Sequence, residues 1–258
     1  MFPIRDRNPT KRLPAVTLLL IMLNVGIYFA VQPQGQGARS TSFTFEYAAI
    51  PEEVTEGDPL TCGEFAAAYQ AAPGGCRQED QPLFPEKRVW LAVLYSMFFH
   101  GSLLHLGGNM LFLWIFGNNI EDHLGGLRYL AFYLASGVVA TLVHVALQPD
   151  SATPLIGASG AVAGVMGAYL VWFPNVRILT AFFFFFILFR EIAAKWWLGI
   201  WFVSQFFINR EAGVAADAHV GGFLFGVLVG LVVRAVKPVR QVAWRNQYTR
   251  PPQEPYPY

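Results

Sequence analysis

From Pro14 to Val31 the chain carries no charged residue, and five further apolar runs follow it: Trp90 to Ile120, Tyr129 to Leu147, Leu155 to Phe173, Trp196 to Ile208 and Val214 to Val233. Most of these runs are long enough to cross a bilayer as a helix, at 1.5 Å per residue against about 30 Å of hydrocarbon. Composition agrees: 54% of residues are hydrophobic and only 14% are charged, roughly half the usual charged share of a soluble domain. We read six spans, the fifth being the shortest, and therefore an all-α membrane protein. The apolar stretch Ile178 to Phe189 is only 12 residues long. It is too short to cross alone and is expected to form an interfacial or re-entrant piece between spans four and five.

Lysine and arginine placement sets the orientation. Arg5, Arg7, Lys11 and Arg12 precede the first span, and Arg234, Lys237, Arg240, Arg245 and Arg250 follow the last. With six spans, Arg128, Arg177, Arg190 and Lys195 fall on that same side, so both termini are expected to be cytoplasmic. The compartment expected on this reading is a bacterial inner (plasma) membrane. The first span is too long in its apolar core, and too poor in a small-residue cleavage site, to read as a signal peptide. Three segments result: a cytoplasmic stretch 1–13, a membrane domain 14–236 that includes an outer loop 32–88, and a disordered cytoplasmic tail 237–258, rich in proline and tyrosine. The outer loop is net acidic and holds both cysteines, Cys62 and Cys76. An even pair in an exported loop reads as a disulfide, two unpaired thiols being the other reading.

Polar residues inside such runs are costly and usually face the bundle or a water-filled cavity. Spans two, four and six all run inward from the outer side, and each carries one polar group or pair near its outer end. Span two holds His105 and Asn109, spaced i, i+4 and so on one helical face; interhelical hydrogen bonding is the competing account of that pair. Span four opens at Ser159 within Gly157-Ala158-Ser159-Gly160, where small neighbours leave the serine approachable at the positive end of a helix dipole. Span six opens at His219, on the same face as Gly222, Gly226 and Gly230. That glycine stripe, with Gly160, Ala163, Gly164 and Gly167 on span four, predicts close packing of the two helices, bringing His219 within reach of Ser159. His100 is expected to organise the start of span two, and His123 and His144 to be structural or interfacial.

These pieces together resemble the rhomboid family of intramembrane serine proteases. The resemblance rests on His100-Gly101-Ser102-Leu103-Leu104-His105 with Asn109, on Gly157-Ala158-Ser159-Gly160, and on Ala218-His219-Val220-Gly221-Gly222, and it covers Leu13 to Val236. It implies a six-transmembrane-helix rhomboid bundle with a cavity open to the outer side and a first outer loop partly embedded in the membrane. It implies Ser159 as nucleophile and His219 as general base. The oxyanion hole would then be formed by the Ser159 backbone N–H with the side chains of His105 and Asn109. Two departures stand out. Some rhomboids have a tyrosine four residues after the serine, stacked on the catalytic histidine, where this chain has Ala163. The stretch around Cys62 to Cys76 looks like an insertion.

The partners implied are single-pass transmembrane protein substrates and the lipid bilayer, with no nucleic acid. No cofactor is expected: there is no His-Glu-x-x-His and no paired aspartate within a span. A catalytically silent rhomboid-like protein that binds transmembrane helices is the alternative. A transporter is less consistent, since span two below Asn109 runs from Met110 to Phe116 without a polar residue.

Overall fold

The computed structural model describes residues 2–35, 37–69, 76–183, 186–208 and 213–236. Helices dominate: α1 (Ala15–Ala30), α6 (Leu103–Phe112) continued through a π turn into α7 (Asn118–Leu124), α8 (Gly126–Leu147), α9 (Ser159–Trp172), α10 (Ala194–Ser204) and α11 (Ala216–Val236). The outer region adds α2 (Ala38–Tyr47), α3 (Pro51–Glu56), α4 (Cys62–Tyr69) and α5 (Val89–Tyr95). By length and hydropathy α8 and α11 can each cross a membrane, and a third candidate is the bent pair Val89–Phe98 with Leu103–Leu124.

That pair corrects the expected second span. Trp90 to Ile120 is not one rod: the chain turns by 81° between Phe98 and Leu103, where His100, Gly101 and Ser102 leave the helix. Ser102 then caps α6, its hydroxyl accepting from the His105 N–H at 3.1 Å, which starts the helix anew.

The all-α expectation is also corrected. A three-stranded antiparallel sheet is built from β1 (Phe2–Asp6), β2 (Arg177–Phe183) and β3 (Ile187–Ala193), in that spatial order. The apolar piece between α9 and α10 is rich in aromatic and β-branched residues, which favour a pleated surface. It folds back as a hairpin in which Arg177 pairs with Ala193 and Phe183 with Ile187. Its other edge receives the N-terminal segment, Phe2 opposite Ala181 and Asp6 opposite Ile178, so a bare hairpin gains the third strand it needs.

This sheet fixes which helix ends lie together. The Arg7 N–H donates to the Arg177 carbonyl at 2.8 Å, and Arg7 pairs with Glu191 at 2.7 Å. The basic N-terminal segment and the α9–α10 connection therefore share a side, as the charge pattern required. The start of α1 lies there too. Pro14 offers no side-chain cap, and buried Glu121 of α7 supplies one from a distance. Its carboxylate accepts from the Val16 N–H at 2.9 Å and from the Thr17 N–H and hydroxyl, both at 2.8 Å. An anion against free N–H groups at a helix start is a favourable placement.

The glycine stripe packs as expected. A Cβ placed on Gly222 would strike the Gly160 carbonyl oxygen, one on Gly226 the Gly164 carbonyl, and one on Gly167 the Phe223 carbonyl. The backbones of α9 and α11 are thus in direct contact over two turns, and α9 is buried almost throughout. Around this pair lie Phe116, Tyr129 and Trp197, which pack with Tyr169 and Trp172 of α9 itself.

The outer region forms a layer of its own, with Phe45, Ile50, Leu60, Phe65 and Ala152 in one apolar cluster. Cys62 and Cys76 are disulfide-bonded, their Cα atoms 5.9 Å apart, so the pairing read from the sequence is present. Beneath it, Lys87 and Glu53 form an ion pair at 2.5 Å with side chains 1% and 2% exposed. Lys87 also donates to the Phe45 carbonyl and Glu53 accepts from the Leu60 N–H, so both charges are bonded within the layer. Burial pushes the Glu53 carboxyl up and the Lys87 ammonium down, and their mutual attraction opposes both shifts. The tail 237–258 lies outside the described residues.

Candidate active site

The strand that delivers Ser159 is held on both sides. The Leu155 N–H donates to the Ala49 carbonyl of the outer layer at 2.7 Å, and the Gly157 N–H to the Ser96 carbonyl at 2.8 Å. Gly157 then takes φ +128°, a conformation that essentially only glycine adopts. Space dictates glycine as well: a Cβ there would sit 2.8 Å from the His105 ring and 3.6 Å from Ser159 Oγ. Gly157 thus separates His105 from Ser159 by the width of a bare backbone. Helix α9 begins at Ser159, whose N–H is one of the four at a helix start without an intrahelical partner.

Asn109 stands one turn below His105 on α6. It is buried, and its Nδ2 has no hydrogen-bond partner among the described residues. A buried amide donor left unpaired is costly; such a group is of use where a charged acceptor comes and goes. His100 is fully buried. Gln32 at the end of α1 bonds both its backbone groups, at 3.0 and 2.7 Å. The His100 and His105 rings meet edge to face at 5.0 Å, so His100 organises the start of α6 as the sequence suggested.

His219 lies in the first turn of α11, on the side where α9 begins. The contact of Gly222 with the Gly160 carbonyl brings the mouths of the two helices together. Among the described residues no hydrogen bond joins His219 to Ser159. The His219 Nδ1 lies 2.8 Å from Gln205 Oε1, and Trp201 of α10 lies beside the ring, centroids 5.9 Å apart at 36°. Neither Trp201 nor Gln205 was read from the sequence as part of the site. The available signal was the amide itself, since Ser204 and Gln205 are the polar residues in the run Trp196 to Ile208. Of the other histidines, His123 packs against Trp172, centroids 4.5 Å apart and rings tilted by 49°, and His144 lies 3.9 Å from Asp217, two residues before His219.

Beside Ser159 is an enclosed cavity of about 20 Å³ bordered by Ser96, Thr141, Gly157 and Ala218. That is room for one water molecule, which needs polar walls of this kind. The arrangement offers a hydroxyl at a helix start, an imidazole on the neighbouring helix, and the His105 ring of α6 on the far side of Gly157. Those are the parts acyl transfer requires.

Comparison with known proteins agrees with this geometry. Residues 87–236 match the Rhomboid domain model. Rhomboid protein 1, mitochondrial, of Saccharomyces cerevisiae is 32% identical over 164 residues, covering 58% of this chain and 44% of the yeast protein. Presenilin-associated rhomboid-like protein, mitochondrial, of Homo sapiens is 32% identical over 142 residues, covering 52% of this chain and 36% of the human one. RHOMBOID-like protein 5 of Arabidopsis thaliana is 29% identical over 155 residues, covering 60% and 47%. The chain thus spans less than half the length of these relatives. Two of them are mitochondrial proteins of eukaryotes by name, which overturns the expected placement in a bacterial plasma membrane. The charge bias had a narrower reach, because it reports which ends share a side and is silent on which membrane holds them. A matching domain model over more than half the chain, with its three sequence signatures gathered at one end of the helix bundle, establishes that this protein belongs to the rhomboid family.

Proposed function

We propose that this protein is an intramembrane serine endopeptidase that cuts peptide bonds in or near transmembrane segments of membrane proteins. The observation that carries the reading is Gly157, which keeps His105 and Ser159 Oγ on either side of a side-chain-free gap. In the mechanism, His219 takes the proton of Ser159 Oγ as that oxygen attacks the scissile carbonyl. The resulting oxyanion is met by the Ser159 N–H, His105 and Asn109. His219 returns the proton to the leaving amine, and a water molecule then hydrolyses the acyl-enzyme, its proton again passing through His219. Six spans go with this reading: α1, α6 with α7, α8, α9, α10 and α11. The substrate is a single-pass protein whose helix unwinds locally, because a helical peptide bond is hydrogen-bonded and shielded. Small or helix-breaking residues near the cut ease that step. The compartment that goes with it is a mitochondrial membrane, the one in the relatives' names.

Catalysis is tested by labelling the purified protein in detergent with a fluorophosphonate. Wild type is expected to be labelled, and Ser159→Ala and His219→Ala to remain blank while keeping the wild-type melting temperature within a few degrees. The silent helix-binding alternative draws on the absence of a Ser159–His219 hydrogen bond in this structure. Wild-type protein that resists the probe would favour it.

A further inference from the structure

Gln205 sits where an amide is expensive, at the end of the apolar helix α10 and only 5% exposed. Such a group is retained when its bonds are made, and here they are. Its Nε2 donates to the Trp201 carbonyl at 3.0 Å and to Ser204 Oγ at 3.2 Å. A carbonyl oxygen can only accept, which fixes the amide nitrogen on that side and turns Oε1 toward His219 Nδ1, 2.8 Å away. An amide oxygen is likewise only an acceptor, so Nδ1 carries the imidazole proton and Nε2 carries the lone pair. Trp201, one helical turn before Gln205, sets its ring beside the imidazole, centroids 5.9 Å apart and planes tilted by 36°, and also meets Phe223 at 5.8 Å. Position 163 on α9, fully buried and without a ring, has no flat surface to offer.

We infer that Gln205 and Trp201 are the positioning residues of His219: Gln205 Oε1 holds the Nδ1–H tautomer, and Trp201 fixes the plane of the ring. This rests on the dyad reading above. The Ser159 proton passes to Nε2, the Nδ1 proton stays where it is, and Gln205 remains neutral throughout. A neutral amide on α10 thus stands where other serine hydrolases place a carboxylate. The aromatic neighbour missing from α9 is supplied from the same helix.

The test is the rate of fluorophosphonate labelling at Ser159, resolved into probe affinity and maximal inactivation rate. Gln205→Met keeps the length and apolar surroundings but removes the acceptor. Its maximal rate is expected to fall about 10- to 10²-fold, a part of what a general base contributes, with probe affinity unchanged. Gln205→Glu keeps an acceptor oxygen and is expected to recover most of that rate; Trp201→Leu should lose rate in the same way as Gln205→Met. Wild-type labelling rates in both Gln205→Met and Trp201→Leu would overturn the inference, as would Gln205→Glu being no faster than Gln205→Met. If Gln205→Met does not fold, the Gln205→Glu and Trp201→Leu rates decide: Gln205→Glu near wild type with Trp201→Leu slowed supports the assignment, and any other pair of rates overturns it. The two readings fail differently. No Ser159-dependent labelling in wild type removes the dyad and this inference with it, whereas Ser159-dependent labelling that ignores both α10 positions removes this inference alone.

Discussion

Asn109, buried, and Asp6, partly buried, show how differently two polar side chains are used at the two ends of the molecule. Asn109 Nδ2 has no partner among the described residues, so Asn109→Ala removes a donor without stranding any of them. On a slow, chemistry-limited substrate kcat is expected to fall by roughly 10²–10³, the usual cost of one oxyanion donor, while the Ser159 N–H and His105 remain. Unchanged kcat would make Asn109 a packing residue. Asp6 is bonded instead, accepting from the Tyr169 hydroxyl at 2.6 Å and from Asn119 Nδ2 at 2.8 Å. Burial nevertheless pushes its carboxyl up from 3.8 to about 6, against the pull of those hydrogen bonds. The folded protein therefore holds a proton that the unfolded chain has already lost in this window. The contribution is full below pH ~4 and is lost as pH rises through about 6, in total roughly 3 kcal/mol. Amide exchange in β1, corrected for intrinsic rates, should be better protected at pH 5 than at pH 7 in wild type. Asp6→Asn should flatten that difference, and an unaltered pH dependence in the variant would assign it elsewhere. Ser159, His219, His105 and Asn109 could be singled out in the sequence because each is a polar residue within an apolar run. Gln205 shares that property, yet its role depends on a neighbour 14 positions away, which no periodicity reports.

Helices α9 and α11 meet backbone to backbone, and a collision there has no side chain to rotate away. Gly226→Ala is expected to destabilise the protein by roughly 1–3 kcal/mol, whereas Gly199→Ala on α10, with nothing within 4 Å of its new Cβ, should be neutral or gain up to about 1 kcal/mol. Melting in detergent checks the pair, and equal melting temperatures would mean that the close approach carries no load. This contact could be read in advance because small residues every four positions have one geometric consequence. The sheet could not. Ile178 to Phe189 is apolar on both faces, so it lacks the alternation that marks a half-buried strand. Its third strand comes from Phe2–Asp6, across most of the chain. The bend before α6 was hidden because His100-Gly101-Ser102 is a short break with apolar runs on both sides, and a break of that length in sequence does not report the 81° change of direction.

Over the whole molecule, the outer layer and the helix bundle are joined by few but well-placed bonds. The disulfide closes a loop with a sequence separation of 14, worth roughly 3 kcal/mol in the chain-entropy model. Replacing both Cys62 and Cys76 by serine should lower the stability of the layer by about that amount. Activity is expected to drop less than tenfold, because the bundle is held by the α9–α11 contact. Complete inactivation at a temperature where the layer is folded would contradict this. Some effect should be felt, since Tyr69 of α4 donates to the Ala152 carbonyl on the strand leading to Ser159. The pairing of Ala49 with Leu155 is the last bond on that route, and it divides the layer in two for anyone rebuilding it. A replacement for the span from Gly57 to Leu83 would have to rebuild the Tyr69 bond to the Ala152 carbonyl and the packing of Leu60 and Phe65 on Ala152 to keep the strand leading to Ser159 in register. The few residues around Ala49 act as a splint on that strand and have to be carried over unchanged.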